Sequence, residues 1–172
     1  MKSTPWLWSE LHDFFDTDDG SLPEVRVAYS DTGATIAAYA LLRERAAQVV
    51  TENPYFWSKT HHADRPLDSV PNAAVLVASG EATAFHVVLG GIRSRGVNIP
   101  DLGVFVFPAQ IALDYRMGPA WGPRELEALF ELLAELMSLD PQASLSLEEG
   151  ALPEVVARFQ KTWHRWAAMQ GA

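Results

Sequence analysis

The sequence predicts a single α+β domain over residues 1–172, with a mainly antiparallel sheet of about four to five strands. N-terminal, central and two C-terminal helices are expected to pack on that sheet. Three observations support this fold class. The composition is 48% hydrophobic with 10% aromatic residues, enough to build the core of a chain of this length. Several short runs alternate as half-buried strands do, and residues 102–126 run from two strand-like segments through a Gly/Pro turn into an amphipathic helix.

The first third of the chain predicts a helix, a strand and a second helix. Residues 5–15 place apolar side chains on one helical stripe, with Pro5 suited to the first turn. In residues 23–29 the apolar side chains alternate with Glu24 and Arg26, which predicts a half-buried strand. Ser30-Asp31-Thr32 then offers N-cap oxygens for an Ala- and Leu-rich helix that runs to about Gln48.

The middle of the chain gives weaker signals. Residues 49–72 contain three prolines and predict irregular structure, although so long a loop in a compact domain is either functional or a misread element. The apolar run 73–77 predicts a strand or a buried segment. Residues 83–89 alternate and predict a strand, and residues 93–101 predict a polar loop.

Residues 103–107 and 110–117 predict a hairpin joined by Pro108-Ala109. If Phe107 faces Gln110, one face of the hairpin is apolar and forms core, with Val104, Val106, Ile111, Leu113 and Tyr115. The other face is half aromatic and half charged, and it carries Phe105, Phe107, Ala112, Asp114 and Arg116.

Two helices are predicted to close the chain, at 123–137 and 153–169. The first has its acids on the expected solvent face, at Glu125, Glu127, Glu131 and Glu135. Among the six tryptophans, Trp57, Trp163 and Trp166 are expected in the core. Those that flank helix starts, including Trp121, are expected to be partly exposed and able to join an interaction surface.

The net charge of −9 is unevenly distributed: −5 over residues 1–24, −7 over 123–154 and +3 over 155–172. An acidic chain without a basic stripe is a poor nucleic-acid binder, because phosphate recognition requires clustered Lys and Arg. Acidic patches suit a basic protein partner, while solubility alone is the alternative explanation. No uncharged apolar stretch reaches 18 residues and the N-terminus has no signal-peptide pattern, so we expect no membrane association and a cytoplasmic location.

Motifs for cofactors, metals and nucleophiles are not found. There is no cysteine, Walker loop, GxGxxG or GxSxG, so no cofactor is expected. His61 and His62 with Asp64 form the one local group of metal-competent ligands, but adjacent histidines on an extended segment point in opposite directions, which favours an exposed polar loop over a metal site. His86, inside a strand, is expected to be a partly buried histidine with a hydrogen-bond partner.

Asp114 and Arg116 lie two residues apart on one strand face, and two interpretations of them remain open. If a helix covers the face, they form a buried ion pair, which we favour because strands that are apolar on both sides are usually covered. If the face is open, Phe105, Phe107 and the charged pair form an amphipathic patch of the kind found at interface centres.

The stretch GVFVFPAQIALDYRMGPAWGP, in a short, acidic, cysteine-free and tryptophan-rich chain, resembles bacterial immunity proteins that neutralise polymorphic toxins. The resemblance covers about residues 100–137, carries no residue roles and implies a blocked toxin as partner. We therefore expect a non-enzymatic protein-binding module with Phe105, Phe107, Asp114, Arg116 and Trp121 as its binding residues. The alternatives are a small hydrolase-like enzyme using His61, His62 or His86 with Asp101 or Asp114 near the 53–72 loop, and a homodimer joined through the Phe105/Phe107 face.

Overall fold

A computed structural model describes residues 4–171 and contains five helices and ten strands in that range. The helices are α1 (Pro5–Leu11), α2 (Thr32–Arg45), α3 (Ala74–Ala78), α4 (Pro123–Met137) and α5 (Pro153–Gln170). The strands are β1 (Glu24–Ala28), β2 (Gln48–Val49), β3 (Tyr55–Ser58), β4 (Ala63–Pro66), β5 (Phe85–Gly90), β6 (Arg93–Ser94), β7 (Val97–Asn98), β8 (Leu102–Phe107), β9 (Gln110–Tyr115) and β10 (Ser144–Leu147).

The main sheet has six antiparallel strands in the order β10-β1-β9-β8-β5-β2. The predicted α+β fold is therefore confirmed, with slightly more strands than the four to five expected. Phe107 pairs with Gln110 across the β8–β9 hairpin, so the predicted register is also confirmed. The two outermost strands are short: β2 has two residues and β10 has four.

Helices cover one face of the main sheet. The ring of Tyr39 in α2 meets Phe85 in β5 edge-on at 5.2 Å, and the Tyr29 hydroxyl donates to the Leu136 carbonyl of α4 at 3.0 Å. Strand residues pointing this way are buried, as the alternation along β1, β5 and β8 requires. Helices α1 and α5 pack against α4, where Phe130 contacts the rings of Phe159, Trp163 and Trp166. The expected core positions of Trp163 and Trp166 are confirmed.

Three predictions for the middle of the chain differ from the structure in whole or in part. The supposedly irregular residues 49–72 contain the hairpin β3–β4, whose β3 alternates buried Phe56 and Ser58 with exposed Tyr55 and Trp57. The strand is tolerated beside proline because Pro66 lies at the end of β4, where a missing N–H costs little. The apolar run 73–77 is largely the short helix α3, which begins where the Asn72 side-chain oxygen accepts from the Ala74 N–H at 3.0 Å. The polar loop 93–101 contains the small hairpin β6–β7.

The expected solvent face of α4 is partly buried, because side chains from other elements bind its acids. Glu131 is buried and pairs with Arg95 at 3.0 Å, and Glu135 pairs with Arg45 at 2.5 Å. Glu127 is buried and accepts from the Trp166 indole N–H at 3.1 Å. Burial raises the pKa of Glu131, and Arg95 opposes that shift. Three of the eight acids of residues 123–154, Glu131, Glu135 and Glu149, thus lie within ion-pairing distance of an arginine. None of the helices within residues 4–171 is both long and apolar enough to cross a bilayer.

Asp140, buried after α4, gives the fold a specific acid sensitivity. Hydrogen bonds from the Gln142 N–H, the Ser30 hydroxyl and the Ser30 N–H lower the pKa of Asp140. A carboxyl group whose pKa is lower in the folded state than its unfolded value of about 3.9 stabilises the fold when the pH is above that value. This stabilisation is lost as the pH falls through the folded pKa. We predict that Asp140→Asn is less stable than wild type at pH 7 and that the gap closes by pH 2. Urea unfolding at pH 7, 4 and 2 measures the gap, and an equal gap at all three would contradict the assignment.

Candidate protein-binding face of the sheet

The face of the main sheet opposite the helices, here called the outer face, is not covered by any helix among residues 4–171. Its side chains are half-buried or exposed along the outward positions of all central strands, apart from Gly90, Gly103 and Ala112. At the β10 edge, Ser144 and Ser146 are exposed. The outer face includes Glu24, Arg26, His86, Val88, Phe105, Phe107, Gln110 and Asp114.

A row of aromatic rings crosses this face. The Phe105 and Phe107 rings stack with centroids 5.3 Å apart, and the His86 ring lies 4.9 Å from Phe105. All three side chains are half-buried, because each ring packs against its neighbour and part of its surface remains exposed to solvent. Paired rings ordered before a partner arrives lose little conformational entropy on binding, which favours them as interface anchors.

Asp114 bonds to His86 two strands away, at 2.6 Å from carboxylate oxygen to Nε2. The intervening residue is Gly103, which pairs with Asp114 in the β8–β9 register. A Cβ at Gly103 would collide with the Asp114 carboxylate, so only glycine leaves space for the carboxylate to reach across β8. The expectation that His86 is partly buried and hydrogen-bonded is confirmed. In the sequence, Gly103 is the residue that indicates this close approach.

The favoured prediction of a buried Asp114–Arg116 ion pair is wrong. Asp114 is hydrogen-bonded to His86. The Arg116 side chain is exposed beyond the end of β9 and forms no ion pair among the described residues. The separation of two residues allowed a pair, but alternation alone does not decide between a partner two residues away and one across the sheet. Of the residues in the alternative, an amphipathic patch, Phe105, Phe107 and Asp114 are half-buried on one face, without the pair to Arg116.

Trp121 does not belong to the exposed surface. It is only 4% exposed, packs against Phe15 and Tyr115 with ring centroids 4.9 and 5.2 Å away, and donates its indole N–H to the Arg116 carbonyl. Its expected partial exposure is therefore wrong, because the N-terminal segment folds over it. Trp121 supports the turn after β9 from within.

Exposed aromatics instead come from the β3–β4 hairpin. Tyr55 is 58% exposed, and Trp57, which was expected in the core, is 41% exposed. With His86 and Phe105 these residues line a cleft of about 400 Å³ at the corner of the outer face, and Asp64 contributes a carboxylate. The outer face and this cleft form one continuous surface rich in aromatic side chains.

The two histidines of the β3–β4 hairpin lie at the surface of the protein. His61 and His62 are exposed in the β3–β4 turn. The Ser58 hydroxyl lies 2.9 Å from His61 Nδ1, but Ser58 is buried and closes the turn, so it is not placed to attack a substrate. Between Thr4 and Gly171 no three His, Asp or Glu side chains are gathered closely enough to hold a metal ion.

Replacing Gly103 by alanine tests whether Gly103 provides the space that the Asp114 carboxylate occupies. The new methyl group should displace the Asp114 carboxylate from His86 and lower the free energy of unfolding by about 1–2 kcal/mol, the scale of one lost hydrogen bond with local strain. The same substitution in an Asp114→Ala background should cost much less, because no carboxylate then occupies the space. Urea denaturation of the four proteins measures the coupling, and an equal cost in both backgrounds would contradict the account.

None of the known protein-family models, curated proteins or solved structures that were compared with the chain matches it.

Proposed function

We propose that this protein is a non-enzymatic protein-binding module that receives a basic partner on the outer face and the adjacent cleft. The observation that carries the proposal is the stacked Phe105–Phe107 pair, held half-exposed in the middle of an uncovered sheet. Sheets in globular domains bury apolar faces against other elements, so aromatic rings left open on a rigid sheet favour a partner that covers them.

The chemistry of the surface fits a protein interface better than a small-molecule site. Tyr55, Trp57, Phe105 and Phe107 supply large rigid rings, the residue types that dominate binding energy at interfaces. The His86–Asp114 pair among them supplies polar groups that can orient a partner.

Charge favours a basic partner. The chain carries −9 overall, and the one arginine in the middle of the outer face, Arg26, is already bound by Glu24. Exposed Glu148 and Glu149 follow the edge strand β10, and Asp64 lines the cleft. A positive partner would be steered toward this surface and would associate faster at low ionic strength.

The resemblance to bacterial immunity proteins gives the partner a more specific identity, a basic toxin domain that the outer face would block. The support for it is general: an acidic α+β protein of small size with an open aromatic surface.

Affinity capture from the native host tests the proposal. The wild-type protein should retain a basic protein at low salt and release much of it at high salt. A variant with Phe105→Ser and Phe107→Ser should retain far less, whereas the matched control with Val75→Ser and Met169→Ser, two exposed apolar side chains elsewhere, should behave as wild type. Equal capture by both double variants would count against the outer face.

A second candidate function, a small hydrolase-like enzyme, is favoured by one observation. His86 is oriented by Asp114 at the edge of the 400 Å³ cleft, so its Nδ1 is available to accept a proton. No hydroxyl among the described residues is hydrogen-bonded to His86, so water would be the nucleophile. Ester hydrolysis that is lost in His86→Gln but retained in His61→Gln would favour this candidate.

Light scattering after size exclusion tests the third possibility, a dimer through Phe105 and Phe107.

A further inference from the structure

A separate cavity of about 270 Å³ lies where residues 13–23 pass over the ends of β1, β9 and β10 and the start of α5. Its volume is just below the range of roughly 300–1000 Å³ typical of ligand sites. The floor is apolar and buried, and it consists of Phe15, Tyr115, Met117 and Phe159. The Tyr115 hydroxyl donates a hydrogen bond to the Phe14 carbonyl at 2.9 Å, so the floor has no free hydroxyl donor for a ligand.

The rim of this cavity is acidic. Asp13, Asp19, Glu24 and Glu148 line it, and no Lys, Arg or His is among its lining residues. Arg158 binds Asp13 at 2.7 Å from outside the cavity, and Arg26 binds Glu24. Among residues 4–171, Asp19 and Glu148 have no cationic side chain within ion-pairing distance.

The pKa values of the two carboxylates without an ion pair are shifted in opposite directions. Hydrogen bonds from the Ser21 hydroxyl and N–H lower the pKa of Asp19. Desolvation and the nearby Glu24 raise the pKa of Glu148, and Arg26 opposes that shift. A further positive charge beside Glu148 would relieve the remaining unfavourable interaction. An apolar floor below a rim that holds two carboxylates without an ion pair is complementary to a molecule with an apolar body and a cationic end.

We propose that this cavity is a binding site for small organic cations, specifically a primary ammonium on a short apolar chain. The chain would lie against Phe15, Tyr115 and Phe159, and the ammonium would lie between Asp19 and Glu148. An ammonium suits the rim because its three N–H donors can reach separate carboxylates. Carboxylate ligands would be repelled by the rim. The proposal does not rest on the partner proposed for the outer face, although Glu24 belongs to both the outer face and the rim.

Calorimetric titration with three probes of equal chain length tests the ligand class. Hexylammonium should bind at low salt and pH 7, and added NaCl should weaken its binding. Hexanol should bind several-fold more weakly and hexanoate should not bind measurably. Equal binding of hexanol would overturn the cationic class, and no binding of hexylammonium at millimolar concentration would overturn the site.

Three substitutions at neighbouring positions locate the site. Glu148→Gln should weaken hexylammonium binding about two- to fivefold, the range for one partly exposed ion pair. Glu149→Gln is the matched control, since its carboxylate is 94% exposed and does not line the cavity, and it should bind as wild type. Ala151→Phe should fill the cavity and remove binding, with thermal unfolding showing that the variant is folded. Equal binding by Glu148→Gln and Glu149→Gln, or unchanged binding in a folded Ala151→Phe variant, would place the ligand elsewhere.

Discussion

Removing both rings of the Phe105–Phe107 stack should lower the affinity for a captured partner by more than a hundredfold, because each central aromatic anchor contributes about 2 kcal/mol to binding. Phe105→Ala with Phe107→Ala takes away the rings and leaves the backbone pairing of β8 with β5 and β9 in place. The variant should remain folded, since both side chains are only half-buried.

Isothermal titration of the purified partner measures this loss, with far-ultraviolet circular dichroism as the test of folding. Val75→Ala with Met169→Ala is the control, because these exposed apolar side chains lie away from the outer face on α3 and α5. An affinity that falls less than fivefold in the Phe105/Phe107 variant would remove the stacked pair as the binding centre.

Phe130→Ala should lower the free energy of unfolding by about 3–5 kcal/mol, the usual cost of truncating a buried phenylalanine. Phe130 is fully buried in α4, and its ring meets Phe159, Trp163 and Trp166 edge-on at 5.4–5.9 Å. Its loss leaves a cavity among rings that cannot collapse into it, so the attachment of α5 to α4 weakens.

Thermal unfolding should show a midpoint lower by roughly 6–20 °C, given about 2–4 °C per kcal/mol for a chain of this size. Leu152→Ala is the control, because Leu152 is 60% exposed and should shift the midpoint little. A similar small shift for both variants would contradict the central position of Phe130 in the helical layer.

The elements with strong local patterns could be predicted, whereas short strands among prolines and contacts between distant segments could not. The β8–β9 register and helix α4 followed from alternation and from helical periodicity. The β3–β4 hairpin was missed because its four-residue strands lie among prolines, although Phe56 and Ser58 alternate with Tyr55 and Trp57. Burial of Glu127 and Glu131 was missed for a different reason: their partners Trp166 and Arg95 are far away in sequence.

The candidate site was predicted in part. Phe105, Phe107 and Asp114 do share one face, but the partner of Asp114 is His86 rather than Arg116, and Trp121 is buried. Whether a sheet face is covered depends on where the helices pack, and short-range patterns do not contain that information. Gly103, opposite Asp114, was the local sign of a side chain crossing the strand.

Photo-crosslinking tests most directly the claim that the outer face binds the partner. A photoreactive phenylalanine analogue at position 107 should attach covalently to the captured partner, whereas the same analogue at exposed positions 75 and 169 should not. Crosslinking from 75 or 169 without crosslinking from 107 would contradict the account.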